Sequence, residues 1–353
     1  MKLSVKMITI AGIAAAMVSC SDKAAKGAGE AAQEGEFKYL MDEFADLKIM
    51  RYQVPGWDAL TLQQKEYVYH LSEAAKYGRD IIWMQNCKYN LDVRKALENI
   101  LENYKGDRTC EDWAKFETYA KRVFFSNGIH HHYAEDKFFP ECSQEYFAEL
   151  MKAVGCEDQC EKLLPVMFDP AVYASRKMMD GKDIVAESAV NFYEGVTRAE
   201  VEAFYAKMVD PKDKTPISYG LNSRVVKGAD GVVREEVYKV GGLYGAALEK
   251  ICAELEKAAA VAENDTQKAY IADLVAYYQS GDLNLWDEYN IKWVNDTLGT
   301  VDFVNGFVED YNDPLGRKAT WEGLVNFKDA EASLRTELIS ENAQWFEDNS
   351  PVD

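Results

Sequence analysis

A predominantly helical α+β fold carrying one small sheet is predicted by three features of the sequence. Apolar residues recur at spacings of three and four through most of the chain. One stretch, Ile217 to Val240, departs from that period: Tyr219, Leu221, Val225, Val226, Val232, Val233, Val237 and Tyr238 are strand formers, and Gly228-Ala229-Asp230-Gly231 lies among them as a hairpin turn. The span from near Phe37 to about Glu347 is long enough for one large or two modest cores, and it shows no internal repeat.

Taken in order, residues 1–19 read as a secretory signal. Lys2 and Lys6 precede an apolar run from Met7 to Val18, and Ser19-Cys20 follows. That run is too short to span a bilayer of roughly 30 Å. A small residue followed by cysteine is the pattern of bacterial lipoprotein processing, which makes Cys20 the expected lipidation site and the cell envelope the expected location. An ordinary secretory signal that happens to contain Cys20 is the other reading. Residues 20–36 hold Ala, Gly, Glu, Lys and Gln with hardly any large apolar residue, a composition that reads as a flexible tether.

Residues 37–350 are read as one lobe, with its sheet element around residues 216–240. A helix starts near Leu62 behind a Thr61 cap, with Tyr67, Leu71, Ala74, Ala75, Gly78 and Ile82 on one face. Further helices are expected over Val93–Tyr104, Cys110–Phe125, Gln144–Val154, Thr197–Met208, Tyr244–Ala262, Thr266–Gln279 and Asp329–Glu347. Two strands alone are marginally stable, so a further strand, Leu47 to Val54 among the candidates, is expected to complete the sheet.

Sixty acidic residues against forty basic ones give a formal net charge of −20, so the polyanion of a nucleic acid is excluded as a partner. Membrane contact is expected through the lipid anchor alone. The cysteines are too sparse for a disulfide scaffold. Cys156 and Cys160 fit a pair of small buried residues, a disulfide or a soft-metal pair.

The four histidines are His70, His130, His131 and His132. A helical zinc-peptidase site needs two histidines on one face, a third ligand and a carboxylate base, and no H-E-x-x-H or H-E-x-x-G-H occurs. His130 and His132 make a small metalloprotein conceivable, with Glu135 and Asp136 nearby as further ligands. No G-x-S-x-G elbow and no phosphate-cradling glycine loop is present.

Several segments carry a resemblance. Glu66-Tyr67-Val68-Tyr69-His70-Leu71-Ser72 through Gly78, Ser126-Asn127-Gly128 with Asp136-Lys137-Phe138-Phe139-Pro140, Asn191-Phe192-Tyr193, and Leu221-Asn222-Ser223-Arg224 are four of them. Most specific is Trp293-Val294-Asn295-Asp296 with Gly306-Phe307-Val308-Glu309-Asp310-Tyr311-Asn312-Asp313-Pro314-Leu315-Gly316 and Trp321-Glu322-Gly323. Together they resemble the first half of the dipeptidyl-peptidase III family, zinc exopeptidases that remove dipeptides from the N-termini of short peptides. The resemblance implies the N-terminal, non-zinc lobe of a two-lobed metallopeptidase, with a small β-sheet or barrel element.

It also implies zinc in the full-length enzyme and none bound by this chain, short peptides as partners, and no hydrolysis by the chain alone. Pro351-Val352-Asp353 reads as a break within a longer protein. Asp302, shortly before the Gly-Phe, takes the position of the acid that holds the peptide's free amino group, and Asn191, Tyr193 and Trp293 are the accompanying substrate-binding candidates. Val304 stands where animal members place an aromatic residue, so one part of that clamp is altered. A peptide-binding lipoprotein without catalysis is the alternative from another class.

Overall fold

The computed structural model describes residues 37–351. The expected signal and tether, with Cys20, lie outside them.

The chain opens with a hairpin of β1 (Leu40–Phe44) and β2 (Leu47–Met50). Helix α1 (Leu62–Tyr77) follows. Thr61 accepts a hydrogen bond from the Gln64 amide while the Gln64 side chain returns one to the Thr61 amide, a reciprocal cap that fixes where the helix starts. It buries Tyr67, Leu71 and Ala74, the Leu71 side chain alone contributing about 1.5–3 kcal/mol. The helix stops at Gly78, and α2 (Arg79–Asn86) leaves in a new direction. Ile82 therefore belongs to a second helix and does not continue the face of the first.

Four more helices, α3 (Asn90–Asn103), α4 (Glu111–Ser126), α5 (Gln144–Ala153) and α6 (Cys160–Phe168), pack around Val93, Leu97, Phe116, Val123, Phe147 and Leu163. Helix α6 carries Pro165 in its interior. The end of α6 and the segment that follows it are tied together by the buried Lys137 ammonium, which donates to Val166 O, Asp169 O and Val172 O.

The short α7 (Ile184–Glu187) leads to β3 (Tyr193–Glu194), and α8 (Arg198–Ala206) to a hairpin of β4 (Ser223–Lys227) and β5 (Val233–Val237). Their sheet order is β3-β4-β5, parallel then antiparallel. The expected turn around Gly228–Gly231 is present, but the third strand is Tyr193–Glu194 and not Leu47–Val54. Strand β2 pairs instead with β1, its immediate neighbour, where closing a short loop costs little.

Helices α9 (Gly245–Ala260), α10 (Asp265–Ser280) and α11 (Leu283–Val294) then build the largest core with α1 and with a long hairpin, β6 (Val301–Glu309) and β7 (Thr320–Phe327). On β6, Val301, Phe303, Asn305 and Phe307 point into this core and Asp302 points out, the period-two alternation of a half-buried strand. The Phe303 ring lies 5.9 Å from Tyr270, and the Tyr278 hydroxyl donates to Asn305 Oδ1 at 2.8 Å. Gly306 is required because a Cβ there would lie 2.7 Å from the Trp286 ring.

The final stretch breaks at Asn342 into α12 (Ala330–Glu341) and α13 (Ala343–Asn349), neither with a buried residue. The architecture is predominantly helical α+β with small sheets. No helix among the described residues is long and apolar enough to cross a membrane.

Candidate functional site

Two of the expected site residues meet directly. The Trp293 indole Nε1–H, near the end of α11, donates to Asp302 Oδ1 at 2.9 Å, and the Phe303 amide donates to the same oxygen at 2.8 Å. Asp302 Oδ1 is thereby fixed, and Oδ2 takes no bond from the described residues. Asp302 is exposed at the mouth of a cavity of about 270 Å³ that Asp296, Thr300, Asn326 and Lys328 also line. Such a carboxylate can accept from a ligand ammonium without giving up its own supports.

The loop ahead of Asp302 is held from beneath. Glu263 Oε2 accepts from the Thr300 and Val301 amides at 2.9 and 2.8 Å, and Gln64 Nε2 donates to Glu263 Oε1 at 2.8 Å. Gln267 Nε2 reaches Val301 O at 3.2 Å. Burial pushes the Glu263 carboxyl up, yet the bonds from Gln64, Val301, Gln267 and Thr300 outweigh it and leave the group below its ordinary value. Asp296 Oδ1 accepts from the amides of Leu298 and Gly299, closing the turn.

Asn191 and Tyr193 lie elsewhere. They line a separate cavity of about 370 Å³ with Lys88, Tyr173 and Glu194. Asn191 Oδ1 accepts from Arg224 Nη1 at 3.1 Å, and the Tyr193 hydroxyl donates to Asp313 Oδ2 at 2.8 Å. The Asp313 carboxylate also accepts from the amides of Leu315, Arg317 and Lys318, which is why an Asp-Pro-x-Gly turn needs its acid. Tyr193 therefore braces the segment between β6 and β7, Asn191 is held to Arg224 of β4, and Trp293 and Asp302 occupy the other end of that hairpin.

The histidine run is occupied by local structure. His130 is buried, its Nε2 bonds Tyr173 O at 2.7 Å, and burial pulls its pKa down to about 4. His131 Nδ1 accepts from the Tyr133 and Ala134 amides. Glu135 forms a two-bond ion pair with Arg176. Among the described residues no three His, Cys, Asp or Glu side chains gather as a metal-holding group. The described side chains around His130 to His132 are taken up by these bonds and do not fit a zinc ion.

All six described cysteines are free thiols. Cys156 accepts from Asn99 Nδ2 at 2.9 Å and Cys160 rests 3.8 Å from Met151 Sδ, a packing arrangement with no disulfide.

Glu263, Gln267 and Asp313 were not singled out by sequence. Glu263 is one acid among sixty and acts on a backbone 38 residues away, which no local pattern reveals. Asp313 alone left a readable signal, in the turn motif itself.

The hairpin that presents Asp302 falls in the second part of the chain. Residues 222–352 match peptidase family M49. The resemblance to the dipeptidyl-peptidase III family drawn from the motifs holds. The chain is 23% identical over 323 residues to dipeptidyl peptidase 3 of Dictyostelium discoideum, covering 84% of this chain and 46% of that protein. It is 23% identical over 332 residues to human dipeptidyl peptidase 3, covering 81% and 44%. In fold it is similar to dipeptidyl-peptidase III from Corallococcus sp. strain EGB, with a TM-score of 0.55 and 20% identity over 85% of this chain and 45% of that one. The chain thus spans about half the length of the curated relatives it matches. The M49-matching segment includes β4 to α13, so Trp293, Glu263 and Asp302 all lie within it, whereas Asn191 and Tyr193 precede it.

Proposed function

We propose that this chain is the wall of a dipeptidyl-peptidase III-type enzyme that holds the peptide's amino terminus, with Asp302 as the acceptor for the ammonium group. The observation that carries this is the Asp302 carboxylate, fixed through Oδ1 by Trp293 and Phe303 and open through Oδ2 at a cavity mouth. Holding the terminal ammonium at one fixed carboxylate sets the distance from that end at which a peptide can be cut. The name of the curated relatives, dipeptidyl peptidase 3, supports peptides as the substrate class.

Zinc, which the family relation implies for the complete enzyme, would supply an activated water and a polarised carbonyl. The contribution of this chain is binding and orientation. In an assay of dipeptidyl-arylamide release the purified chain with added zinc is expected to show none. Zinc-dependent turnover by the chain itself would overturn its assignment as the non-zinc wall.

The proposal extends to location. The Lys2, Lys6, apolar run and Ser19-Cys20 order supports acylation at Cys20 and attachment to a cell envelope. Mass spectrometry of the expressed protein, beside Cys20→Ala, tests it. An unacylated N-terminus in the parent protein would remove this part of the proposal.

A further inference from the structure

The cavity that Asn191 and Tyr193 line lies between the α2–α3 turn and the run of chain from α7 through β3 into α8. Asn191 is only 6% exposed. Its Oδ1 faces Arg224 Nη1 at 3.1 Å, and because a guanidinium only donates, the amide NH2 is turned the other way. Nδ2 donates to none of the described residues and is not sealed away from water, so it opens onto the cavity as a fixed donor.

Two opposite charges line the same space. Lys88 Nζ donates to Glu194 Oε1 at 3.3 Å, and Glu194 Oε2 accepts from Arg224 Nη1 at 3.2 Å. Arg224 thus holds the carboxylate, while the pair keeps unused capacity, since an ammonium has three donors and a carboxylate about four acceptor positions. Half-exposed, the pair contributes little by itself and can rearrange around a ligand. The other polar side chains of the wall are committed. Ser188 Oγ donates to Ile184 O, Thr197 caps α8, and the Tyr193 hydroxyl donates to Asp313. The rest of the wall is short and aliphatic, with Val185, Ala186, Ala189, Val190 and Val196.

We infer that this cavity is a second ligand site and takes a free α-amino acid with a short aliphatic side chain. The ligand carboxylate accepts from Asn191 Nδ2 and Lys88 Nζ, its ammonium donates to Glu194, and its side chain lies against the valines and alanines. The 3.3 Å between Lys88 and Glu194 selects this class. An α-amino acid carries both charges on one carbon, whereas a dipeptide sets them a further residue apart, about 3.8 Å of chain. The volume, about 370 Å³, is at the small end for ligand cavities. The site does not depend on the reading of Asp302, which lines a different cavity.

The test is calorimetric titration of the purified chain with L-valine, with isovalerate, which lacks only the ammonium, and with isobutylamine, which lacks only the carboxylate. L-Valine should bind at least about tenfold more tightly than either, and more tightly than alanyl-alanine. Lys88→Gln should weaken valine binding by up to roughly fivefold, the scale of one exposed charge pair, and Asp302→Asn should leave it unchanged. In nitrogen-edited NMR spectra of asparagine-labelled protein, valine should move the side-chain NH2 signals that Asn191→Asp removes. Isovalerate or isobutylamine binding as tightly as valine, tighter binding of alanyl-alanine, no valine binding, or its loss in Asp302→Asn would overturn the inference. Because Lys88 is exposed, Lys88→Gln keeps the test informative if Asn191→Asp fails to fold.

Discussion

Gly78→Ala sets two ordinary effects against each other, and the structure says which wins. Gly78 has φ −81° and ψ −9°, a conformation alanine adopts without strain, so propensity and unfolded-state entropy favour the substitution by up to about 1 kcal/mol. A Cβ at Gly78, however, would lie 1.9 Å from Trp321 Cε2, whereas ordinary carbon contacts are about 3.5–4.0 Å. The indole would have to retreat by roughly 1.5–2 Å. It has little room, being buried between Phe307 at 5.6 Å and Tyr278 at 6.2 Å between ring centres. Overpacking of this kind costs about 1–3 kcal/mol or more, so the net effect is a loss of about 1–2 kcal/mol. Urea denaturation followed by tryptophan emission measures it as a lower midpoint. A midpoint equal to or above that of the parent protein would refute the claim that the α1–α2 turn is locked onto β7.

Three further outcomes follow from the same structure. Glu263 lies below its ordinary 4.5 in the folded state, so it stabilises the fold above that value, and the stabilisation is lost as pH falls through the folded value. Glu263→Gln should therefore flatten the acid dependence and speed amide exchange at Thr300 and Val301 at neutral pH, as hydrogen exchange would show. His130, pulled from 6.5 down to about 4 by burial, binds its proton only in the unfolded chain across that window. Stability is then complete above pH 6.5 and declines toward pH 4, and an imidazole NMR titration giving an ordinary midpoint would contradict this. Lys137→Met keeps the stem and removes the donors to Val166, Asp169 and Val172, which should cost about 2–3 kcal/mol in a denaturation midpoint.

The helices were legible because each carries one apolar stripe; α3, α4, α5, α8, α9 and α10 begin and end within a few residues of where spacing puts them, and α1 begins there. Helix α6 was hidden by Pro165 in its interior, and α11, which buries Leu283, Trp286 and Tyr289, was not among the expected helices. The β6–β7 hairpin, the element that carries Asp302, escaped the pattern for a different reason. Its inward positions include Asn305, β7 contains Gly323, and the segment joining the strands is far longer than a tight turn. Asn305 is tolerated inside because Tyr278 satisfies it, a tertiary fact absent from any local window. Asp302 was named because the resemblance places it, while the Glu263 support beneath it depends on chain segments that meet only after folding.

The central claim is that Asp302 receives a peptide ammonium, and the Trp293 indole reports on it because its N–H bonds the same carboxylate. In nitrogen-edited NMR spectra of tryptophan-labelled protein, with Trp293→Phe identifying the resonance, a short peptide with a free amino terminus should shift the Trp293 indole signal. Its N-acetylated form should bind up to roughly fivefold more weakly, the scale of one exposed charge pair. Asp302→Asn should erase that difference. Equal shifts by the free and acetylated peptides in the parent protein would contradict the account.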